Sequence, residues 1–244
     1  MKITGDYHTH SIFSKFHHGK NTIEENAQAA EQNGFVSYGV TDHGPKHVMY
    51  GIRKKNFKKV RAIVDNLNVK YKDKMKIYFG IEANIIGKDG EIDLTDEQIK
   101  LLDYIVVGYH KGTITNFVQY FFARNTKKQI EKNTKAYINA VNRYNIAFFS
   151  HLNTYIKVNV KQLAEACAKR GTHIEINNRH FNFSKQDVKD MLDTDVKFII
   201  SSDAHKAKNI GLVDNALDIV KKYNIPLERI VNIDKTYIPK PAHD

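Results

Sequence analysis

The sequence predicts a parallel α/β barrel of seven strand–helix units with its chemistry at the C-terminal ends of the strands. Three observations carry this. Short apolar, β-branched or aromatic runs alternate with amphipathic helical patterns along the 244 residues, the order that builds a parallel sheet. Metal-ligand types fall at the downstream ends of those runs: His8, His10, His43, Glu82, His110, His151, Asp203 and His205. Side chains arriving from nearly every strand can face one centre if the sheet curls on itself, whereas an open sheet scatters them. No glycine-rich loop of the P-loop or dinucleotide type is present, which disfavours the nucleotide-binding open sheets.

The first run ends as Asp6-Tyr7-His8-Thr9-His10. Alternation along a strand should put both imidazoles on one face, roughly 6 to 7 Å apart at the backbone, where they can share a cation. Thr22-Ile23-Glu24-Glu25 then opens a helix as a capping box, with Thr and Glu satisfying each other's free backbone donors. The second run, 38–41, leads to Asp42-His43-Gly44, and a helix follows over 57–69. The third, 77–81, delivers Glu82, and Thr95-Asp96-Glu97-Gln98 opens a shorter helix. Runs 104–109 and 146–150 end at His110 and His151, with helical patterns over 127–143 and 160–169. Run 172–176 ends at Asn177-Asn178-Arg179-His180, before a helix over 184–192. Run 196–202 delivers Asp203 and His205 in the same alternate spacing as the first pair, and a helix over 213–223 follows.

Composition narrows the classes. A length of 244 residues with 41% hydrophobic residues suffices for one barrel, so a single domain over residues 1–244 is expected. There is no apolar stretch of about 18 residues and no leader-like start, so the expectation is a cytoplasmic protein without membrane contact. Cys167 is the only cysteine. Multi-thiolate zinc sites are thereby excluded, and any metal must rely on imidazole and carboxylate; Cys167, in a helical run, reads as a buried structural thiol. The net charge of +11 suggests an anionic partner, but the Arg53-Lys54-Lys55 and Lys70–Lys76 clusters read as solvated faces.

Taken in order, Asp6-Tyr7-His8-Thr9-His10-Ser11, Thr41-Asp42-His43-Gly44-Pro45, Gly80-Ile81-Glu82-Ala83-Asn84, Gly108-Tyr109-His110, Ser150-His151, Glu175-Ile176-Asn177-Asn178 and Ser201-Ser202-Asp203-Ala204-His205 resemble the PHP (polymerase and histidinol phosphatase) family, in its compact, free-standing phosphoesterase form. The resemblance spans nearly the whole chain. It implies a distorted seven-stranded (β/α) barrel with up to three divalent metal ions (zinc, manganese or iron). It further implies that His8, His10, Glu82 and Asp203 hold one metal and that Glu82 bridges to a second, held also by His110 and His151. A third falls to His43, His205 and a histidine after the first strand, read as His18 with His17 its neighbour and rival.

Such a set suits hydrolysis: a bridging carboxylate lets two cations lie about 3.5 to 4 Å apart and lower the pKa of shared water. The expected activity is hydrolysis of a small phosphomonoester by a metal-bridged hydroxide, with no side-chain nucleophile. Lys111, Arg179 and His180 follow strand ends and could grip phosphate, or else stand as solvent-facing loop charges. Asp42 could orient an imidazole or shape a turn. His47, His173 and His243 read as structural or exposed. Ranked behind the phosphatase are a phosphodiesterase or 3′-5′ exonuclease on nucleic acid, a non-catalytic metal-binding module, and an amidohydrolase-like barrel, which also uses His-x-His after its first strand.

Overall fold

Seven parallel strands in the order β1 to β7, each paired with its sequence neighbours, form the wall of a nearly closed barrel. The computed structural model describes residues 1–114 and 126–243. The strands are β1 (Gly5–Asp6), β2 (Ser37–His43), β3 (Lys76–Asn84), β4 (Tyr104–Gly108), β5 (Ile146–Phe149), β6 (His173–Asn177) and β7 (Phe198–Ser201). The helices are α1 (Ile23–Gln32), α2 (Phe57–Lys70), α3 (Asp96–Ile99), α4 (Lys127–Arg143), α5 (Val160–Arg170), α6 (Lys185–Leu192) and α7 (Asp214–Lys222). No helix among the described residues is long and apolar enough to cross a membrane.

Helix starts follow the local chemistry. Both predicted capping boxes form, Thr22 with Glu25 and Thr95 with Gln98, and Ser184 with Asp187 makes a third. Strands β2, β4, β5 and β7 are buried along their whole length, as expected where helices cover one face and the barrel interior the other. On β4, Ile105 and Val107 join the large apolar layer under the helices, while Tyr104 and Val106 point the other way and pack with Tyr7, Phe148, Ile199 and Tyr237. That inner cluster is the floor beneath the strand ends. Gly39 and Gly80 make room for it, because a Cβ at either position would stand 2.1 or 2.6 Å from atoms of the Tyr104 ring and hydroxyl.

The first strand is shorter than its sequence pattern. Pairing stops at Asp6, and His8 to His10 continue as an extended segment pinned by backbone bonds from Thr41 to Thr9 and from His10 to Ala204. The physical reason is the barrel seam: β1 and β7 do not form a ladder and meet through the single bridge Thr9–Ala204. Side chains close the gap instead. Asn232 donates to the Gly5 and Ile200 carbonyls (3.1 and 2.8 Å) and accepts from Ile200 N–H (3.0 Å). Asp6 accepts from the Ser202 hydroxyl and from the Ser202 and Gly211 backbone.

Candidate metal centre

Glu82, fully buried on β3, is the hub. Register places His43 of β2 directly opposite it, and His43 Nδ1 lies 2.9 Å from Glu82 Oε2. Around Oε1 stand His151 Nε2 at 2.8 Å, His110 Nε2 at 3.1 Å and His8 Nε2 at 3.2 Å. His10 Nε2 sits 3.7 Å from Oε2 and 3.4 Å from Asp203 Oδ1. His10 leads on to the remaining members: its ring is 4.4 Å from those of His43 and His205 and 5.7 Å from that of His18. His18 and His205 bring their Nε2 atoms to 2.7 Å. The structure thus gathers all nine residues singled out from the sequence into one cluster, with the loop residue His18 rather than His17 reaching it.

The hydrogen-bond chemistry of this cluster fits cations. His8 Nδ1 is 2.7 Å from Glu175 Oε1 and His110 Nδ1 is 2.7 Å from Asn84 Oδ1; donation there orients each ring and turns its Nε2 toward Glu82. His110 Nε2, His151 Nε2 and the carboxylate oxygen then lie within 3.2 Å of one another. His8 Nε2, both ring nitrogens of His10 and of His43, and Glu82 Oε2 are buried without a hydrogen-bond partner. Orphaned buried acceptors cost about 1–3 kcal/mol each, and a divalent ion satisfies several together. Three overlapping groups have metal-compatible spacing: His8 with His10 and Glu82; His43 with Glu82 and His110; His10 with His43 and His205.

Charge states agree. Burial alone would raise Glu82 and Asp203, yet the surrounding histidines hold both carboxyls well below their usual range. Burial pushes His10 down to about 3, helped by His205, and His18 down to about 4, also with His205. Burial likewise opposes protonation of His8 and His151, but Glu82 and its acidic neighbours outweigh it and lift both. The carboxylates draw positive charge to the point where the rings converge, as a metal site requires. Two of the nine, His151 (φ 24°) and Asp203 (φ 53°), adopt left-handed backbone, a strain of roughly 1–3 kcal/mol each that clusters at functional sites.

Several supporting residues escaped the sequence reading. Glu175, quoted there only within a motif, also accepts from His151 N–H (2.8 Å) and Asn177 Nδ2 (2.9 Å), so one buried carboxylate braces three neighbours. Asp42 resolves to a turn role: it accepts from Ser11 N–H and the Ser11 and Ser14 hydroxyls at 2.6–2.8 Å and so ties down the segment leading to His18. His47, set aside as structural or exposed, is buried and lines the mouth, its ring stacked 5.2 Å from His43. Its Nδ1 accepts from Tyr50 N–H (3.0 Å), and Tyr50 stacks on His18 at 3.8 Å. The alternation of β-strand ends with short loops gave no cue to these. His173 packs edge-on against Tyr237, away from the mouth, and His243 is exposed.

The mouth is a cavity of about 490 Å³ open to solvent. Lys111, Arg179 and His180 all line it. Arg179 donates to the Asp203 carbonyl (3.2 Å), which holds its guanidinium beside the cluster, and the Lys111 ammonium lies 5.2 Å from the centre of the Tyr155 ring.

A barrel carrying a buried imidazole–carboxylate cluster at its strand ends defines a class of metal-dependent hydrolases. Comparison with known proteins narrows it: residues 6–181 match the PHP domain, and the chain belongs to that family. It is 31% identical to "Probable phosphatase YcdX" of Shigella flexneri, covering 93% of this chain and 89% of that one. It is 28% identical to a "Probable phosphatase" of Caldanaerobacter subterraneus subsp. tengcongensis, covering 96% and 90%. Its fold matches a crystal structure of histidinol phosphate phosphatase from Lactococcus lactis in complex with zinc, L-histidinol and phosphate. That match has a TM-score of 0.63 at 19% identity and covers 91% of this chain and 94% of that one.

Proposed function

We propose that the chain is a metal-dependent phosphoesterase that hydrolyses a small phosphomonoester. The observation that carries this reading is the convergence of the His8, His110 and His151 Nε2 atoms on the buried Glu82 carboxylate, at 2.8–3.2 Å, at the floor of a solvent-open cavity. Relatives named as phosphatases support the reaction class.

In this reading His8, His10, Glu82 and Asp203 hold one cation, Glu82, His110 and His151 a second, and His18, His43 and His205 a third. Bound zinc, manganese or iron supplies activation of water and neutralisation of charge on phosphoryl oxygens. The chain's own groups do the rest. Glu82 spans two positions, and Glu175 and Asn84 hold the rings of His8 and His110 in the tautomer that presents Nε2. Arg179, Lys111 and His180, on the wall above, grip the phosphate oxygens as the leaving alcohol faces the opening.

The reading is tested with protein reconstituted separately with Zn²⁺, Mn²⁺ and Fe²⁺ and assayed on phosphomonoesters, phosphodiesters and single-stranded DNA. Monoester hydrolysis that is lost on chelation and restored by metal is the expected result. Cleavage confined to diesters or DNA would transfer the protein to the exonuclease reading, and metal binding without turnover of any ester to the non-catalytic one.

A further inference from the structure

The catalytic face carries a charge pattern that cation binding leaves unexplained. Six of the seven segments that follow the strands, residues 7–22, 44–53, 109–126, 150–159, 178–184 and 202–213, contain no acidic residue in sequence except Asp203. Each contributes a cation, among them Lys15, Arg53, Lys111, Lys157, Arg179 and Lys206. Apart from Asp203, the acids of these segments lie after β3, where Asp93 is buried and accepts from Asn84 and from Lys46 N–H. Among the described residues the carboxylates lining the mouth are Glu82 and Asp203, both committed to cations in the function proposed above. Among the described residues, that wall offers no free carboxylate to a positively charged leaving group.

Beside the mouth lies a second hollow of about 370 Å³, lined by Phe16, His17, Lys15, Arg53 and Lys55. No carboxylate pairs with Lys15, Arg53 or Lys55 among the described residues. Lys15 joins the two hollows: it lines the second, and its N–H donates to the carbonyl of Tyr50 (3.1 Å), which lines the mouth. Phe16 and His17 adopt left-handed backbone (φ 52° and 55°), a cost of about 1–2 kcal/mol per residue. That turn leaves Phe16 exposed at the hollow while directing His18 into the cluster.

We propose that the substrate carries a second phosphate besides the one hydrolysed, and that the hollow of Lys15, Arg53 and Lys55 binds it. This rests on the phosphomonoesterase reading and adds the substrate class. Two adjoining hollows of this size match the two ends of one small molecule; a nucleic-acid strand calls for a continuous groove with successive stacking platforms. An alcohol bearing an ammonium group, by contrast, meets the cations Lys15, Arg53 and Lys55 with no carboxylate lining that hollow among the described residues.

The test uses metal-loaded, full-length protein and linear alkyl phosphates of three to six carbons whose far end is methyl, phosphate or ammonium. At the best chain length, kcat/KM for the bisphosphate should exceed that of the methyl-ended ester by at least about 10-fold, and the ammonium-ended ester should fall below it, the gaps narrowing with added salt. The triple variant K15Q/R53Q/K55Q should bring the bisphosphate to within about 2-fold of the methyl-ended ester and leave the latter unchanged. Equal turnover of all three esters, or a bisphosphate preference that survives in the triple variant, overturns the inference while the phosphatase reading stands. Faster cleavage of a single-stranded oligonucleotide than of any ester also overturns it, and failure to hydrolyse any ester removes both readings.

Discussion

The Glu82 half of the centre and the His18 half use the same imidazoles but hold them differently. Around Glu82, the proposed ligands sit on or just beyond paired strands, are fully or almost fully buried, and are braced through their second nitrogen where a partner exists, as His8 is by Glu175 and His110 by Asn84. Around His18 the support is softer. His18 comes from a loop and is half-buried, positioned by stacking on Tyr50 and by a segment tied to Asp42. His43 has no hydrogen-bond partner on either nitrogen, and the His205 side chain keeps 18% exposure. A cation in the first half meets a preorganised cage; one in the second meets a wall that must be completed by a loop. Preorganisation lowers the cost of binding, so the second half should release its ion first on chelation.

The largest effect should follow loss of the hub. Glu82→Gln keeps size but removes the charge that four histidines surround. Metal content and activity should fall together, with turnover reduced well beyond the roughly 10- to 100-fold typical of outer-shell partners. Circular dichroism should remain that of the wild type, since the barrel core is apolar. Full metal content with normal turnover in this variant would remove the asymmetry between the halves.

A smaller and more selective loss is expected in the second half. His18→Ala should lower occupancy of the weakest ion and slow hydrolysis by about 100-fold, whereas His17→Ala should change metal content, and turnover of an ester without a second phosphate, by less than about 2-fold. Elemental analysis alongside kcat separates the two. Sensitivity to His17→Ala with indifference to His18→Ala would reverse the geometry, in which His18 and not its neighbour meets His205.

The same contrast explains what could be read from sequence. His43, Glu82 and His110 end regular runs, so alternation and strand position were enough to single them out, and parallel order followed from the β–α rhythm. The end of β1 was over-extended because the seam replaces a ladder with the Asn232 and Asp6 side chains, which carry no periodic signal. His47 was missed because its placement depends on how the 44–53 loop folds over the 110–114 loop, through the His47–Thr113 bridge. Glu175 lies inside β6 rather than at its end, and its partners His151 and His8 are 24 and 167 residues away in sequence.

Glu175 offers the finest test of bracing in the first half. Its two oxygens accept from His8 Nδ1 on one side and from His151 N–H and Asn177 Nδ2 on the other. Glu175→Gln preserves shape but replaces one acceptor by an NH₂ group, so whichever way the amide turns, a donor faces a donor. His8 or the His151 backbone must then shift. Because Glu175 acts through these residues rather than on substrate, metal affinity should weaken by about 10- to 100-fold while kcat at saturating metal recovers to within a few-fold of wild type. The loss should spare the ion of the His18 half, which Glu175 does not brace. Unchanged affinity would show that the strand backbone alone sets the rings; a kcat loss that excess metal cannot repair would place Glu175 in the reaction itself.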